Sequence, residues 1–302
     1  AGVVKTMGLM QISAADFFQQ GPVDLFIVLG DRYEALAATQ AALIFRIPIV
    51  HIHGGESTFG SVDDEIRNAI SQMASIHFPS TETYRNRLLE MGVDQSKIKV
   101  TGGLGVDALK SFVPLKINEV SRKIGLDMNV PIALVTCHPE TKNYGASLSQ
   151  MDILIGALKQ VDELSYICTA SNSDAEGVSC TNKLREFCEL NRERAVFHDS
   201  LGQELYFSCL KNIQLVIGNS SSGLLEVPSF KIATINIGAR QGGRLKAETV
   251  IDVDWNENRI IQSMKKGLSE DFKIRCETAI NPYGNGNAAL AMVSFLERYF
   301  DL

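Results

Sequence analysis

The chain has 302 residues, of which 45% are hydrophobic and 21% charged, with a formal net charge of −6. That length accommodates two ordinary domains or one large α/β domain, and the composition excludes a disordered chain. The acidic balance argues against a nucleic-acid partner, and no apolar run approaches the ~20 residues that span a bilayer.

Six cysteines are scattered without a CxxC pair, and no charged-then-apolar leader is visible, so a reduced, cytoplasmic protein without disulfides is expected. One helical stretch precedes Asp24. Strands are predicted at 24–29, 47–52, 97–101, 132–136, 165–169, 195–198, 214–217 and 233–237. Helices are predicted at 33–45, 63–74, 83–91, 151–163, 181–191, 203–211 and 285–302. This alternation means βαβ units and parallel sheets, and the unbroken apolar strands mean sheets covered on both faces. The stretch 112–118 breaks the pattern with Pro114. Two doubly wound domains are therefore expected: residues 1–115, joined by the C-terminal helix 285–302, and residues 116–284. The second reads as a full set of βα units, whereas the first is expected to lack its opening βαβ portion.

Polar clusters stand where predicted strands end, which is the ligand-binding edge of an open α/β sheet. Gly30-Asp31-Arg32-Tyr33-Glu34 follows the first strand, and Asp31 taken alone is also a good helix N-cap. His51-Ile52-His53-Gly54-Gly55-Glu56 ends the next strand and leads to Asp63 and Arg67. Neighbouring parallel strands thus bring imidazoles and carboxylates to one edge. A metal site built from His51, His53, Glu56 and Asp63 is the rival reading, but no further His or Cys lies at ligand spacing. Asp63 and Arg67 can also form a simple one-turn pair, and His77 reads as structural.

In the second half, Cys137-His138-Pro139-Glu140-Thr141 follows a strand. Further on, Gly218-Asn219-Ser220-Ser221-Ser222-Gly223 runs from a strand toward a helix carrying Glu226. Small hydroxyls and free amides at a helix start suit a phosphate, and Glu226 suits the two hydroxyls of a ribose. Arg240 and Arg244, in a glycine-rich loop after the next strand, add bidentate phosphate contacts. A serine cap and a solvated turn are the plainer alternatives.

Taken together, GDRYE (30–34), HIHGGE (51–56), CHPET (137–141), SNSDAEG (171–177), GNSSSGLLEVPS (218–229), GARQGGR (238–244) and NPYGNGNA (281–288) resemble the hydrolysing UDP-N-acetylglucosamine 2-epimerases. These begin sialic acid synthesis, and related enzymes act on UDP-diacetylbacillosamine for legionaminic acid. The resemblance implies a GT-B-like fold: two Rossmann-like domains with a cleft between them and a C-terminal helix crossing back to the first. It implies UDP held by His138, Ser220, Ser221, Glu226 and Arg240, with Ser222, Gly223, Arg244 and Arg67 counted among the substrate-binding residues. Asp31 and Asp63 match catalytic positions. His53 stands where some members have glutamate, so that role falls to Glu56 or to the imidazole. The family's N-terminal glycine-rich turn has no counterpart here, so weak or absent turnover is expected of this chain by itself. No cofactor or metal is implied; the partners are a UDP-sugar, the UDP product and other copies of the chain in a homodimer or larger homo-oligomer. The rivals are a non-hydrolysing 2-epimerase, a GT-B glycosyltransferase and a UDP-sugar-binding protein without turnover.

Overall fold

The structure is a computed structural model that describes residues 2–59, 62–140, 145–172 and 176–301. In chain order the elements are α1 (Gly2–Gln19), β1 (Phe26–Leu29), α2 (Tyr33–Ile44), β2 (Ile49–Ile52), α3 (Asp63–Met73), β3 (Ile76–Phe78), α4 (Glu82–Glu90), α5 (Leu104–Lys110), α6 (Ile117–Ile124) and β4 (Ile132–Thr136). There follow α7 (Ser147–Lys159), β5 (Ser165–Thr169), α8 (Gly177–Leu190), β6 (Ala195–His198), α9 (Gly202–Leu210), β7 (Leu215–Gly218), α10 (Ser222–Leu225), β8 (Ala233–Ile237), β9 (Val250–Val253), α11 (Glu257–Leu268), α12 (Glu270–Thr278) and α13 (Ala288–Tyr299). The contacts divide them into two compact units. Unit 1 takes the chain through Thr58, Val62–Asp107 and the stretch from Tyr283 onward; unit 2 takes Ala108–Pro282 with Phe59. The first break falls inside α5. Among the described residues no helix is long and apolar enough to cross a membrane.

Unit 1 is built on a parallel sheet in the order β1-β2-β3. All four residues of β2, Ile-Val-His-Ile, are buried, as a central strand covered on both faces requires. Val50, Ile52, Ile76 and Phe78 pack against Ala288 and Met292 of α13, and Phe78 meets Phe295 edge-to-face at 5.6 Å. The start of α13 is capped from far away in sequence. Asp107 accepts the backbone N–H groups of Asn287, Ala288 and Ala289 at 2.7–2.8 Å, satisfying donors a helix start leaves open.

Unit 2 holds six parallel strands in the order β6-β5-β4-β7-β8-β9. Its larger core cluster runs from Ala133 and Val135 through Tyr166, Leu184 and Phe187 to Met264 and Phe272. Cys137, Cys168, Cys180 and Cys188 serve in it as small apolar residues. All six cysteines are free and buried. Burial pushes the thiols of Cys137, Cys180, Cys209 and Cys276 upward, Cys209 to about 12.

Two local expectations differ from the structure. The predicted strand at 97–101 is instead a 3-10 turn, Gln95–Lys97, started by Asp94 accepting the Ser96 N–H at 2.8 Å. Beyond it the chain makes an isolated bridge to β3 at Ile98–His77, with the Lys99 and Thr101 N–H groups donating to the His77 and Pro79 carbonyls at 3.0 and 3.2 Å. Lysines at 97 and 99 leave Ile98 as the segment's one buried apolar anchor. Conversely, β3 is a strand of only three residues, stopped by Pro79, and β9 is a half-exposed edge strand. β3 is too short to carry a periodic signal, and in β9 Asp252 interrupts the apolar run.

His51 and His77 face each other in register on β2 and β3, and both are buried. Burial is the largest influence on each and pulls both down to about 4. In the unfolded chain each would take a proton near 6.5. Their contribution to stability is therefore complete above pH 6.5 and is lost as pH falls toward 4. Between pH 6.5 and 5 each is expected to cost about 2 kcal/mol. Urea unfolding at the two pH values should show a shallower pH dependence in His77→Gln than in the unsubstituted chain; equal dependence would refute the assignment.

Candidate active site

In unit 2 the connections leave β4 toward β5 on one side, while β7 pairs with β4 on the other. An open parallel sheet has its ligand crevice at such a switch point, outside the carboxyl ends of the strands. The loops arriving there come from β4 (Cys137–Glu140), β7 (Asn219–Ser222) and β8 (Gly238–Arg244). Gly218 ends β7 with φ +133°, and a Cβ there would lie 1.9 Å from the Thr136 carbonyl oxygen. Only glycine lets the two strand ends approach this closely.

The fully buried Asn219 ties the loops together. Its Oδ1 accepts the His138 N–H at 2.7 Å, and its Nδ2 donates to the His138 carbonyl at 2.8 Å. Its own backbone carbonyl accepts from Arg240 Nη1 at 3.2 Å and Gln241 Nε2 at 2.8 Å. Arg244 Nη1 in turn donates to Gln241 Oε1 at 3.2 Å. His138 Nδ1 accepts the Asn172 N–H at 3.0 Å. In the neutral ring that leaves the proton on Nε2 as a donor.

A cavity of about 420 Å³ opens at this edge, lined by His138, Ser220, Ser222, Glu226, Tyr206 and Gln203 among others. Tyr206 donates to Ser222 Oγ at 2.8 Å, and Ser222 Oγ lies 3.3 Å from Ser220 Oγ. Desolvation, and then the charge of Glu226, push the Tyr206 phenol well above its usual value. It stays protonated and donates to Ser222, so the linked Ser220–Ser222 pair keeps one hydroxyl proton to donate onward.

The expected helix start is smaller than the sequence pattern suggests. α10 is a single turn, followed by a 3-10 turn, Val227–Phe230, with Pro228 near its start. A single turn sums too few peptide dipoles to attract an anion strongly, so hydroxyls, His138 and the arginines are the available donors. Gly223 packs inward: its N–H bonds the Ser220 carbonyl at 3.2 Å, its carbonyl accepts from Thr234, and a Cβ would meet Thr234 Cγ2 at 2.8 Å. Ser221 stands at the cap position of α10, and Glu226 closes it.

Unit 1 has a separate polar cluster, organised by Arg67. This guanidinium is completely buried. Nη2 donates to Asp31 and to Thr58 Oγ1; Nη1 donates to the Glu56 carbonyl at 2.9 Å and to Asp64 Oδ1 at 3.1 Å. Asp31 follows β1, with its side chain 18% exposed beside this buried cation. Glu56 Oε1 accepts from His53 Nδ1 at 2.8 Å and Ser80 Oγ at 3.0 Å. His53 has φ +66°, a strained left-handed conformation for a residue with a side chain. Its Nε2 accepts the Leu104 N–H at 3.3 Å. Asp63 is the first residue of α3, one turn before Arg67.

His51 is structural: it donates from Nε2 to the Gly30 carbonyl and accepts from Ser71 at Nδ1, both at 2.9 Å. A Cβ at Gly54 would fall 2.9 Å from both partners of the Ser71 bond, and one at Gly55 would lie 2.3 Å from the Tyr84 carbonyl. The glycine pair of HIHGGE is thus set by packing. All four ring nitrogens of His51 and His53 are engaged within the protein. Among the described residues no group of three His, Cys, Asp or Glu is arranged to hold a metal ion. Thr141 of the CHPET motif and residues 173–175 of SNSDAEG lie outside the described residues.

The structure therefore brings Asp31, Glu56 and Arg67 into one network and joins His53 to Glu56. Separately, it gathers His138, Ser220, Ser222 and Glu226 around one cavity, and links Arg240 to the same loops through Asn219. Asn219, Gln241, Gln203 and Tyr206 were not among the residues expected to form the site. Only Asn219 carried a local signal, as a polar residue at the end of an apolar strand.

The profile of a family described as UDP-N-acetylglucosamine 2-epimerase matches residues 1–297. The GDP/UDP-N,N'-diacetylbacillosamine 2-epimerase (hydrolyzing) of Campylobacter jejuni is 36% identical over 269 residues, covering 89% of this chain and 70% of the relative. Polysialic acid biosynthesis protein P7 of Escherichia coli is 35% identical, with 98% and 75% covered. Among solved structures, UDP-GlcNAc 2-epimerase from Neisseria meningitidis bound to UDP-GlcNAc superposes with a TM-score of 0.83 at 20% identity, covering 98% of this chain and 82% of that one. This last likeness shows a GT-B-like fold of two Rossmann-like units.

Asn219→Ala should cost about 2–4 kcal/mol, because it leaves the His138 N–H and carbonyl without their side-chain partners. Urea unfolding checks this; a loss below about 1 kcal/mol would mean the three loops hold together without Asn219.

Proposed function

The chain belongs to the UDP-N-acetylglucosamine 2-epimerase family, and from that premise we propose that it hydrolyses UDP-N-acetylglucosamine to N-acetylmannosamine and UDP. The convergence of the β4, β7 and β8 loops of unit 2 on one crevice carries this reading, in a chain matched by the family from residue 1 to 297. His138, Ser220, Ser221, Ser222, Glu226, Arg240 and Arg244 bind the UDP moiety, Glu226 taking the ribose hydroxyls and the arginines the diphosphate. Gly223 keeps the serine loop close to β8. In unit 1, Asp31, Glu56 and Asp63 handle protons at the sugar, with His53 orienting Glu56 and Arg67 orienting Asp31.

The chemistry explains why two kinds of group are needed. C1 of the substrate is an acetal carbon, so the C2 proton is not acidic. Inversion at C2 proceeds by elimination: the C1–O bond breaks, UDP leaves with its electron pair, and a carboxylate takes the C2 proton, giving a glycal. Water then gives up a proton to a carboxylate and adds as hydroxide at C1, while a carboxylic acid returns a proton to the opposite face of C2. Electrons balance without an oxidant or reductant. Donors such as His138 Nε2–H and Arg240 stabilise the departing diphosphate, and paired carboxyl groups carry the protons.

The diacetylbacillosamine name of the 36%-identical relative favours a second substrate, the corresponding UDP-diacetylated sugar, on the same route. The P7 relative supports a role in sialic acid-type synthesis. Six free, buried thiols agree with work in the reducing cytoplasm, and a homodimer or larger homo-oligomer belongs to the same reading.

Incubation with each UDP-sugar in turn should release UDP and a free 2-epimeric sugar. Recovery of an epimerised UDP-sugar instead would identify the non-hydrolysing reaction, and absence of any product would leave only binding. Asp31→Asn and Asp63→Asn should retain UDP affinity while losing roughly 10²–10⁴-fold in turnover; unchanged turnover in either would remove that residue from catalysis. Arg240→Ala and Ser220→Ala should weaken UDP binding by roughly ten- to a hundredfold in calorimetry, and unchanged affinity would remove them from the site.

A further inference from the structure

Glu140 lies two residues beyond His138, yet its carboxylate joins a different loop. It is 6% exposed, and its Oε1 accepts both the Ala239 N–H at 2.9 Å and the Trp255 indole Nε1–H at 3.0 Å. Gly238 leaves room for this contact. It has φ +76°, and a Cβ there would lie 2.1 Å from Glu140 Oε1 and 2.4 Å from Trp255 Nε1. The carboxylate thus occupies the space any side chain at 238 would need. Burying a carboxylate is costly unless donors meet it, and here two donors converge on one oxygen. Charge-assisted bonds of this kind are roughly twice as strong as neutral ones, so the first residues of the 238–244 loop are held firmly. Arg240 follows Ala239 directly, and its Nη1 also donates to the Asn219 carbonyl.

We propose that Glu140 is a positioning residue for Arg240, holding the loop so that the guanidinium is already oriented when the diphosphate arrives. Trp255, the single tryptophan of the chain, shares the same carboxylate oxygen and reports the state of that loop. This rests on the reading of Arg240 given above. A negative group near a proposed anion site opposes anion binding by Coulomb repulsion, so charge alone would make Glu140 unfavourable for UDP. A geometric role makes the opposite prediction. Glutamine keeps the acceptor oxygen and should serve nearly as well, whereas alanine should not.

The test is calorimetric UDP titration of the full chain and of Glu140→Ala, Glu140→Gln and Arg240→Ala, with thermal unfolding followed in parallel. Glu140→Ala is expected to bind UDP roughly tenfold more weakly and Glu140→Gln within about threefold of the unsubstituted chain. A merely structural role would lower the melting temperature without changing the dissociation constant of the folded fraction. In the unsubstituted chain, Trp255 emission should change with UDP at the calorimetric midpoint, and Glu140→Ala should lose that change while still binding UDP. Normal affinity in Glu140→Ala with weakened affinity in Arg240→Ala overturns the positioning role alone. Normal affinity in Arg240→Ala overturns the arginine assignment and, with it, this proposal. Should Glu140→Ala fail to fold, the native chain decides: emission that stays flat at saturating UDP overturns the link.

Discussion

The pairing of the Asn219 side chain with the backbone of His138 is the constraint on which the unit 2 site depends. An amide side chain has one acceptor and two donors, and here it mimics a strand neighbour, closing two hydrogen bonds across the ends of β4 and β7. Because the Asn219 side chain is fully buried, it cannot exchange these bonds for water without a penalty. Asn219's own carbonyl is then presented to Arg240 and Gln241. One residue thereby sets the spacing of three loops that arrive from separate strands. The close approach of Gly218 to Thr136 is its precondition, since any side chain at 218 would push the two strand ends apart.

Unit 1 solves a similar problem with a charge. A fully buried guanidinium is tolerable only when acceptors surround it, and Arg67 has Asp31, Asp64, Thr58 and the Glu56 carbonyl. Its planar fork gathers groups from the end of β1, the loop after β2 and the first turn of α3. A lysine could not hold them in one plane. Glu56, whose carbonyl serves Arg67, turns its carboxylate the other way, to His53 and Ser80. The two sites thus match the two halves of the proposed chemistry. Neutral donors and arginines suit a departing diphosphate, and oriented carboxylates suit proton transfer at carbon.

The histidines illustrate how burial sorts residues of one type into different work. His51 and His77 are held neutral inside the sheet, with His51's two nitrogens spent on Gly30 and Ser71. His138, at a strand end, accepts the Asn172 N–H at Nδ1 and lines the cavity. Strand interior against strand end, more than the imidazole itself, separates the histidines buried in the sheet from the one that lines the cavity.

Much of this was legible in one dimension. Alternating apolar runs and amphipathic stretches determined parallel α/β units, because a buried parallel strand must be apolar on both faces and its crossover helix on one. The polar clusters GDRYE, HIHGGE, CHPE and GNSSSG marked the strand ends, since a ligand-facing loop is where an apolar run gives way to polar residues. Tertiary structure alone decided the rest. The capping of α13 by Asp107, 180 residues distant, the clamp between Asn219 and His138, 81 residues apart, and the contact from Glu140 to Ala239, 99 residues apart, leave no local pattern. β3 took strand form from its neighbour β2, whereas residues 97–101 make an isolated bridge at Ile98 and run past the end of β3, where Thr101 bonds to Pro79. Helix and strand periodicities are read within a few residues, whereas the hydrogen bonds that aim the functional side chains close only when distant strands have assembled.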